Sequence, residues 1–124
     1  MKDYILIGAG GFLGAIARYA AAYMIGLKWG KVFPVGTFVV NVTGCFMIGL
    51  LMTLFTEKYM APPQWRLFLV VGFLGAYTTF STFEYETNGL LRDGEWLLAG
   101  MNVALSVIAG FAALKIGDVI GKLL

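Results

Sequence analysis

Four long apolar runs occupy most of this chain, and they constrain its fold more than any other feature. They cover residues 4–27, 32–56, 67–83 and 96–114. Arg18 is the only charged residue inside any of them. A bilayer core about 30 Å thick is crossed by roughly 20 apolar residues in a helix, with a usable range of about 17–25. The runs therefore predict four transmembrane helices, at about residues 4–27, 33–56, 65–87 and 95–120.

The composition agrees with a chain that is surrounded by lipid. Of the 124 residues, 60% are apolar and 13% are charged, whereas a soluble domain carries about 25% charged residues. The runs are continuous rather than alternating in polarity, which excludes a membrane β-barrel. Because four helices take up nearly the whole sequence, we expect a single all-α transmembrane domain over residues 1–124.

The side chains that catalysis or nucleic-acid binding would require are missing from the pattern. The chain has no histidine, its carboxylates all lie outside the four apolar runs, and its formal net charge is only +2. A charge this small forms no basic patch for nucleic acid. We therefore expect neither an enzyme nor a nucleic-acid-binding protein, and no organic cofactor.

Glycines in the first two runs lie at positions suited to helix packing. Gly10 and Gly14 are four residues apart, so they share one face of a helix that a second helix can approach closely. Gly44 is predicted to serve the same purpose in the second helix. The stretch 5–14 also resembles a dinucleotide-binding glycine turn, but no acidic residue follows about 20 positions later, as that motif requires. Helix packing is the better interpretation.

The third run is poorly suited to an unbroken helix. Gly72 and Gly75 precede four hydroxyl residues within 78–82, and glycine and threonine are weak helix formers. In lipid, backbone that leaves a helix must be buried in protein or line a polar cavity, and broken helices often form ion sites. We predict a break near residues 75–78. The alternative is an intact helix whose hydroxyls bond back to their own carbonyls.

Polar residues on the second and fourth helices recur at helical spacing. Thr37 and Asn41 share a face of the second helix, and Asn102, Ser106 and Gly110 share a face of the fourth. Together with the third run, these faces indicate a hydrated or ion-binding path. Ordinary hydrogen bonding between helices remains the alternative.

Arg18, Phe80 and Phe83 each allow two interpretations. A charge inside a span must face protein, water or the interface, so Arg18 either forms an electropositive vestibule for an anion or reaches the headgroups. The edges of aromatic rings are positive, so Phe80 and Phe83 either meet an anion or pack as ordinary apolar side chains.

The charge distribution leaves the orientation in the membrane open. The face that carries the termini has five basic residues, and the opposite face has three: these are Lys2, Lys58, Arg66, Lys115 and Lys122 against Lys28, Lys31 and Arg92. A bias of two is weak under the positive-inside rule. Insertion in both orientations, followed by antiparallel pairing, and a single orientation with cytoplasmic termini both remain possible.

Three segments together resemble a known family. Residues 11–19, 36–44 and 72–83, the last containing Thr-Thr-Phe-Ser-Thr-Phe, are similar in order and spacing to the Fluc family of bacterial fluoride channels, also called CrcB proteins. The resemblance covers essentially the whole chain. It implies an antiparallel, dual-topology homodimer in the bacterial cytoplasmic (inner) membrane, with two pores. It also implies passive, selective export of cytoplasmic fluoride, which lowers fluoride toxicity.

The resemblance also implies roles for individual residues. A structural Na⁺ at the dimer interface would be held by the backbone carbonyls of Gly75 and Thr78 of both subunits. Phe80 and Phe83 would line each pore, and Asn41 would donate its amide to the anion. The other pore residues would be Ser81, Thr82, Glu86 and Ser106, with Arg18 in the vestibule.

Two other classes of protein share parts of this pattern. Small multidrug resistance transporters are similarly short and have four helices, but they depend on a buried glutamate in the first helix, and the run 4–27 contains no acidic residue. An accessory subunit that only packs against a partner would account for Gly10, Gly14 and Gly44. It would leave the cluster at 78–83 without a purpose.

Overall fold

The computed structural model describes residues 1–30 and 32–124, and this part of the chain is helical, with no strand. α1 spans Lys2–Trp29, and α2 spans Val35–Thr53 and continues as a π-helical turn over Leu54–Lys58. α3 is continuous through Pro63–Trp65, a π-helical stretch at Arg66–Leu74, and Gly75–Tyr77. α4 spans Phe80–Arg92, and α5 spans Trp96–Leu123.

Among the described residues, four helical segments are long and apolar enough to cross a membrane. They are Lys2–Trp29, Val35–Lys58, Pro63–Arg92 and Trp96–Leu123. Large apolar side chains such as Phe12, Ile108 and Phe111 are more than 60% exposed on the outside of the bundle, as expected where the surrounding solvent is lipid. The predicted all-helical fold, with four segments able to span a membrane, is confirmed for the described residues.

Glycines lie where α1 meets α3. A Cβ at Gly10 would overlap the carbonyl oxygen of Phe68, and one at Gly14 would overlap that of Phe73. On the other side of the contact, a Cβ at Gly72 would lie 2.7 Å from the carbonyl oxygen of Ile7. The two backbones therefore touch without side chains between them. This close contact fixes the height and rotation of α3 against α1.

α2 and α5 make a similar contact. A Cβ at Gly49 would overlap the carbonyl oxygen of Leu114, and one at Gly117 would overlap that of Phe46. At the same end of the bundle, the buried Thr53 hydroxyl donates to Asp118 Oδ1 at 2.5 Å. These contacts join α2 and α5 into one rigid pair, which forms the second half of the bundle.

The third membrane segment contains two residues in extended conformation. The helix stops at Tyr77, because Thr78 has φ −87° and ψ 154° and Thr79 has φ −146° and ψ 120°. The Thr78 hydroxyl still bonds back to the Leu74 carbonyl at 3.0 Å. A new helix begins at Phe80, where the Thr79 hydroxyl accepts a hydrogen bond from the backbone N–H of Thr82, as threonine commonly does at a helix start.

Candidate functional site

Asn41 binds the extended segment through both ends of its amide. Its Nδ2 donates to the Thr79 carbonyl at 3.0 Å, and the Thr79 N–H donates to its Oδ1 at 2.8 Å. In an unbroken helix this N–H would bond to the carbonyl of Gly75. Backbone groups that leave a helix inside a bilayer need replacement partners. Asn41, on α2, supplies both of them.

Arg18 binds the end of the helix before the extended segment. It is half-buried on α1, and its Nε donates to the carbonyl of Ala76 at 3.1 Å. This carbonyl would bond to the N–H of Phe80 if the helix continued. The contact therefore satisfies one of the carbonyls that the helix end leaves without a partner. The vestibule role of Arg18 stays a prediction.

The two carbonyls predicted to hold Na⁺ have lost their usual helical donors. The N–H of Thr79 is taken by Asn41, and the N–H of Thr82 is taken by the Thr79 hydroxyl. The oxygens of Gly75 and Thr78 are thus released at the same place in the chain. Carbonyls of unwound helix are the groups with which membrane proteins coordinate Na⁺. The donor set therefore suits this ion.

Side chains offer no competing metal site in the part of the chain that the structure describes. No group of three or more His, Cys, Asp or Glu that could hold a metal occurs among residues 1–30 and 32–124.

The larger of two cavities at the extended segment has a volume of about 390 Å³ and lies between α2, the extended segment and α5. Its lining is Asn41, Cys45, Ile48, Val70, Leu74, Gly75, Thr78, Thr79, Phe80, Phe83, Ser106 and Val107. The rings of Phe80 and Phe83 are 5.9 Å apart, centroid to centroid, and tilted by 54°. Phe83 is 8% exposed and Phe80 74% exposed in the single chain. The fold thus brings six of the predicted site residues to one cavity.

The smaller cavity, of about 260 Å³, lies on the other side of Thr79. Its polar lining includes Arg18, Thr37, Thr82 and Glu86. One carboxylate oxygen of Glu86 is buried and has no hydrogen-bond partner among the described residues. Thr79 borders both cavities.

Ser81 and Gly44 do not line either cavity. Ser81 is exposed and does not contribute to the lining of either cavity. Gly44 is buried against Thr78, whose side chain would overlap a Cβ at this position. Gly44 therefore leaves the room in which Thr78 can adopt its extended conformation.

Thr79 was not among the predicted site residues, although it contacts Asn41, begins α4 and borders both cavities. A signal for it was present in the sequence. Threonine is a preferred N-cap residue, and Thr79 follows a predicted break, directly before a new helix.

The comparisons with known proteins agree with the motifs. Residues 5–118 match the family described as "CrcB-like protein, Camphor Resistance (CrcB)". A protein of Solibacter usitatus named fluoride-specific ion channel FluC is 50% identical over 119 residues, which is 96% of this chain and 98% of the relative. Proteins of the same name from Chlorobaculum tepidum and Maridesulfovibrio salexigens are 46% and 39% identical, over 99% and 100% of this chain and 97% and 98% of the relatives. The resemblance in the three segments is confirmed, and the chain belongs to the CrcB family.

Proposed function

We propose that this protein is a passive, fluoride-selective channel of the bacterial inner membrane that lets fluoride leave the cytoplasm and so reduces its toxicity. One observation carries the proposal: Asn41, Phe80, Phe83 and Ser106, from three helices, line one cavity beside a break in a membrane-spanning segment. The relatives that match the whole chain are named fluoride-specific ion channels.

The cavity offers the kind of groups that a small, strongly hydrated anion requires. An asparagine amide has two N–H groups, and Thr79 uses one of those of Asn41, so one remains for the ion. The Ser106 hydroxyl and the positive ring edges of Phe80 and Phe83 add further contacts. Since these groups carry no full charge, fluoride would be bound weakly enough to leave again.

The smaller cavity would continue the path. Arg18 raises the local potential and attracts anions. Thr37, Thr82 and Glu86 line this cavity together, and one buried oxygen of Glu86 has no partner among the described residues. We propose that these hydroxyls turn between Glu86 and a passing ion, and that Ser81 joins this polar track.

A second copy of the chain would close the larger cavity. Polar groups at this depth must be shielded from lipid, yet Phe80 is largely exposed and the cavity opens to the outside. We propose an antiparallel homodimer in which the partner covers this face. The carbonyls of Gly75 and Thr78 from both copies would then hold a structural Na⁺, which supplies positive potential and ties the two extended segments together.

The test is fluoride efflux from liposomes that contain the purified protein, with chloride as the competing anion. Wild-type protein should release fluoride rapidly and leave chloride inside. Phe80→Ile should slow fluoride release by at least about tenfold, because it removes the ring edge that faces the path. Phe12→Ile is the matched control, since Phe12 on α1 is 68% exposed and lines neither cavity. Absence of fluoride release from folded wild-type protein would refute the channel.

A further inference from the structure

A chain of hydrogen bonds links α4 to α5 behind the larger cavity. Asn102 is 2% exposed, and its Nδ2 donates to Thr87 Oγ1 at 2.9 Å. The Thr87 hydroxyl in turn donates to the carbonyl of Phe83 at 2.8 Å. On the other side, the Ser106 hydroxyl donates to Asn102 Oδ1 at 3.4 Å. The chain therefore runs from Ser106, through Asn102 and Thr87, to Phe83.

The two ends of this chain differ from its middle in what they contact. Phe83 and Ser106 line the larger cavity, whereas Thr87 and Asn102 do not contribute to its lining. Thr87 belongs to α4 and Asn102 to α5. The bond between them therefore joins the two helices that carry these residues of the cavity wall.

In each of these hydrogen bonds, the donor and the acceptor can be assigned. A threonine hydroxyl has one proton, and Thr87 gives it to Phe83, so it accepts from Asn102. The amide nitrogen of Asn102 consequently faces Thr87, and its oxygen faces Ser106. The Ser106 bond is the longest of the three and close to the limit for a hydrogen bond. Its hydroxyl can leave Asn102 at little cost and turn toward the cavity.

We propose that Thr87 and Asn102 are positioning residues of the pore. The bond between them fixes the position of the Phe83 backbone on α4 relative to Ser106 on α5. The Ser106 hydroxyl donates to the oxygen of Asn102 when no ion is present, and it turns to donate to an anion that enters the cavity. This inference rests on the proposed function, because it concerns the same cavity.

The test measures fluoride efflux rate against fluoride concentration for variants of both residues. Thr87→Val has nearly the same shape as threonine, removes the hydroxyl and leaves the amide of Asn102 without a partner. We expect its maximal rate to fall by about tenfold and its half-saturating fluoride concentration to rise. Thr87→Ser keeps the hydroxyl and should stay within about twofold of wild type. Asn102→Leu keeps roughly the volume of the side chain and should behave like Thr87→Val. It provides the same comparison if Thr87→Val does not fold.

The two changes act on one chain of bonds, so they should not add. Thr87→Val combined with Asn102→Leu should be no slower than the slower single variant. Thr56→Val is the matched control, because the Thr56 hydroxyl also bonds four residues back, to Met52 at 2.7 Å, but lies exposed at the far end of α2. This control should conduct like wild type.

The results separate the inference from the proposed function. If the wild-type protein releases fluoride, and Thr87→Val and Asn102→Leu release it at the same rate, the positioning role is overturned and the channel stands. Equal losses in Thr87→Ser and Thr87→Val would also overturn it, because the hydroxyl would then not matter. Wild-type protein that releases no fluoride would refute the channel itself.

Discussion

Asn41 combines two tasks at the scale of the single residue. Its amide supplies both the acceptor and the donor that the backbone of Thr79 lost when it left the helix. It also lines the larger cavity. A residue that only bound an ion would not need both of these backbone contacts. Substitutions at this position should therefore affect folding and conduction together.

Asn41→Asp removes one of the two hydrogen bonds of the amide and keeps the other. The carboxylate can still accept from the Thr79 N–H, but it cannot donate to the Thr79 carbonyl, and it adds a negative charge beside the path. We expect fluoride efflux to fall by at least about tenfold and the free energy of unfolding to fall by about 1–3 kcal/mol. Efflux assays and denaturant unfolding in detergent measure the two effects.

The control for this change is Asn88→Asp, which introduces the same charge at an exposed position on α4. It should leave both quantities near their wild-type values. Wild-type efflux from Asn41→Asp would show that the second hydrogen bond and the neutral amide are dispensable.

At the scale of the helix, the contact between α1 and α3 depends on the absence of side chains. Gly14→Ala would place a methyl group on the carbonyl of Phe73. Because the methyl group would meet backbone atoms rather than the end of a flexible side chain, we expect a loss of about 1–3 kcal/mol in the free energy of unfolding. Unfolding in detergent, followed by circular dichroism, measures it.

Gly8→Ala is the comparison on the same helix. A Cβ at Gly8 meets no atom within 4 Å, and alanine is the better helix former by about 1 kcal/mol. This variant should be as stable as wild type or more so. If Gly14→Ala were equally harmless, the close approach of α1 to α3 would be wrong.

At the scale of the whole molecule, the open cavity and the weak charge bias lead to one prediction. If a second, inverted copy covers Phe80, about half of the tags on either terminus should be accessible from each side of the membrane. Single labelled particles should bleach in two steps. A single orientation, or bleaching in one step, would contradict the antiparallel pair.

Sodium removal tests the other feature of the proposed assembly. Exhaustive replacement of Na⁺ by a large organic cation should lower fluoride efflux, because the carbonyls of Gly75 and Thr78 would lose the ion that offsets their mutual repulsion. Returning Na⁺ should restore the efflux, and returning only the organic cation provides the control. Efflux that is unchanged after complete removal would exclude a structural Na⁺.

The four spans were predictable because span length and polarity are local properties of the chain. A run such as 32–56 can satisfy its backbone in lipid only as a helix. The glycine spacing of Gly10 and Gly14 likewise indicates a packing face, since helical periodicity alone places them together. The polar stripe of Asn102 and Ser106 was predictable for the same reason.

Partners across the bundle were decided only by the tertiary structure. Arg18 bonds to Ala76, 58 residues away, and Asn41 bonds to Thr79, 38 residues away. Periodicity shows which face of a helix a residue occupies, but it does not show the height and rotation at which another helix meets that face. Those are set by backbone contacts at glycines such as Gly14 and Gly72, and a shift of one turn would give Arg18 and Asn41 different partners.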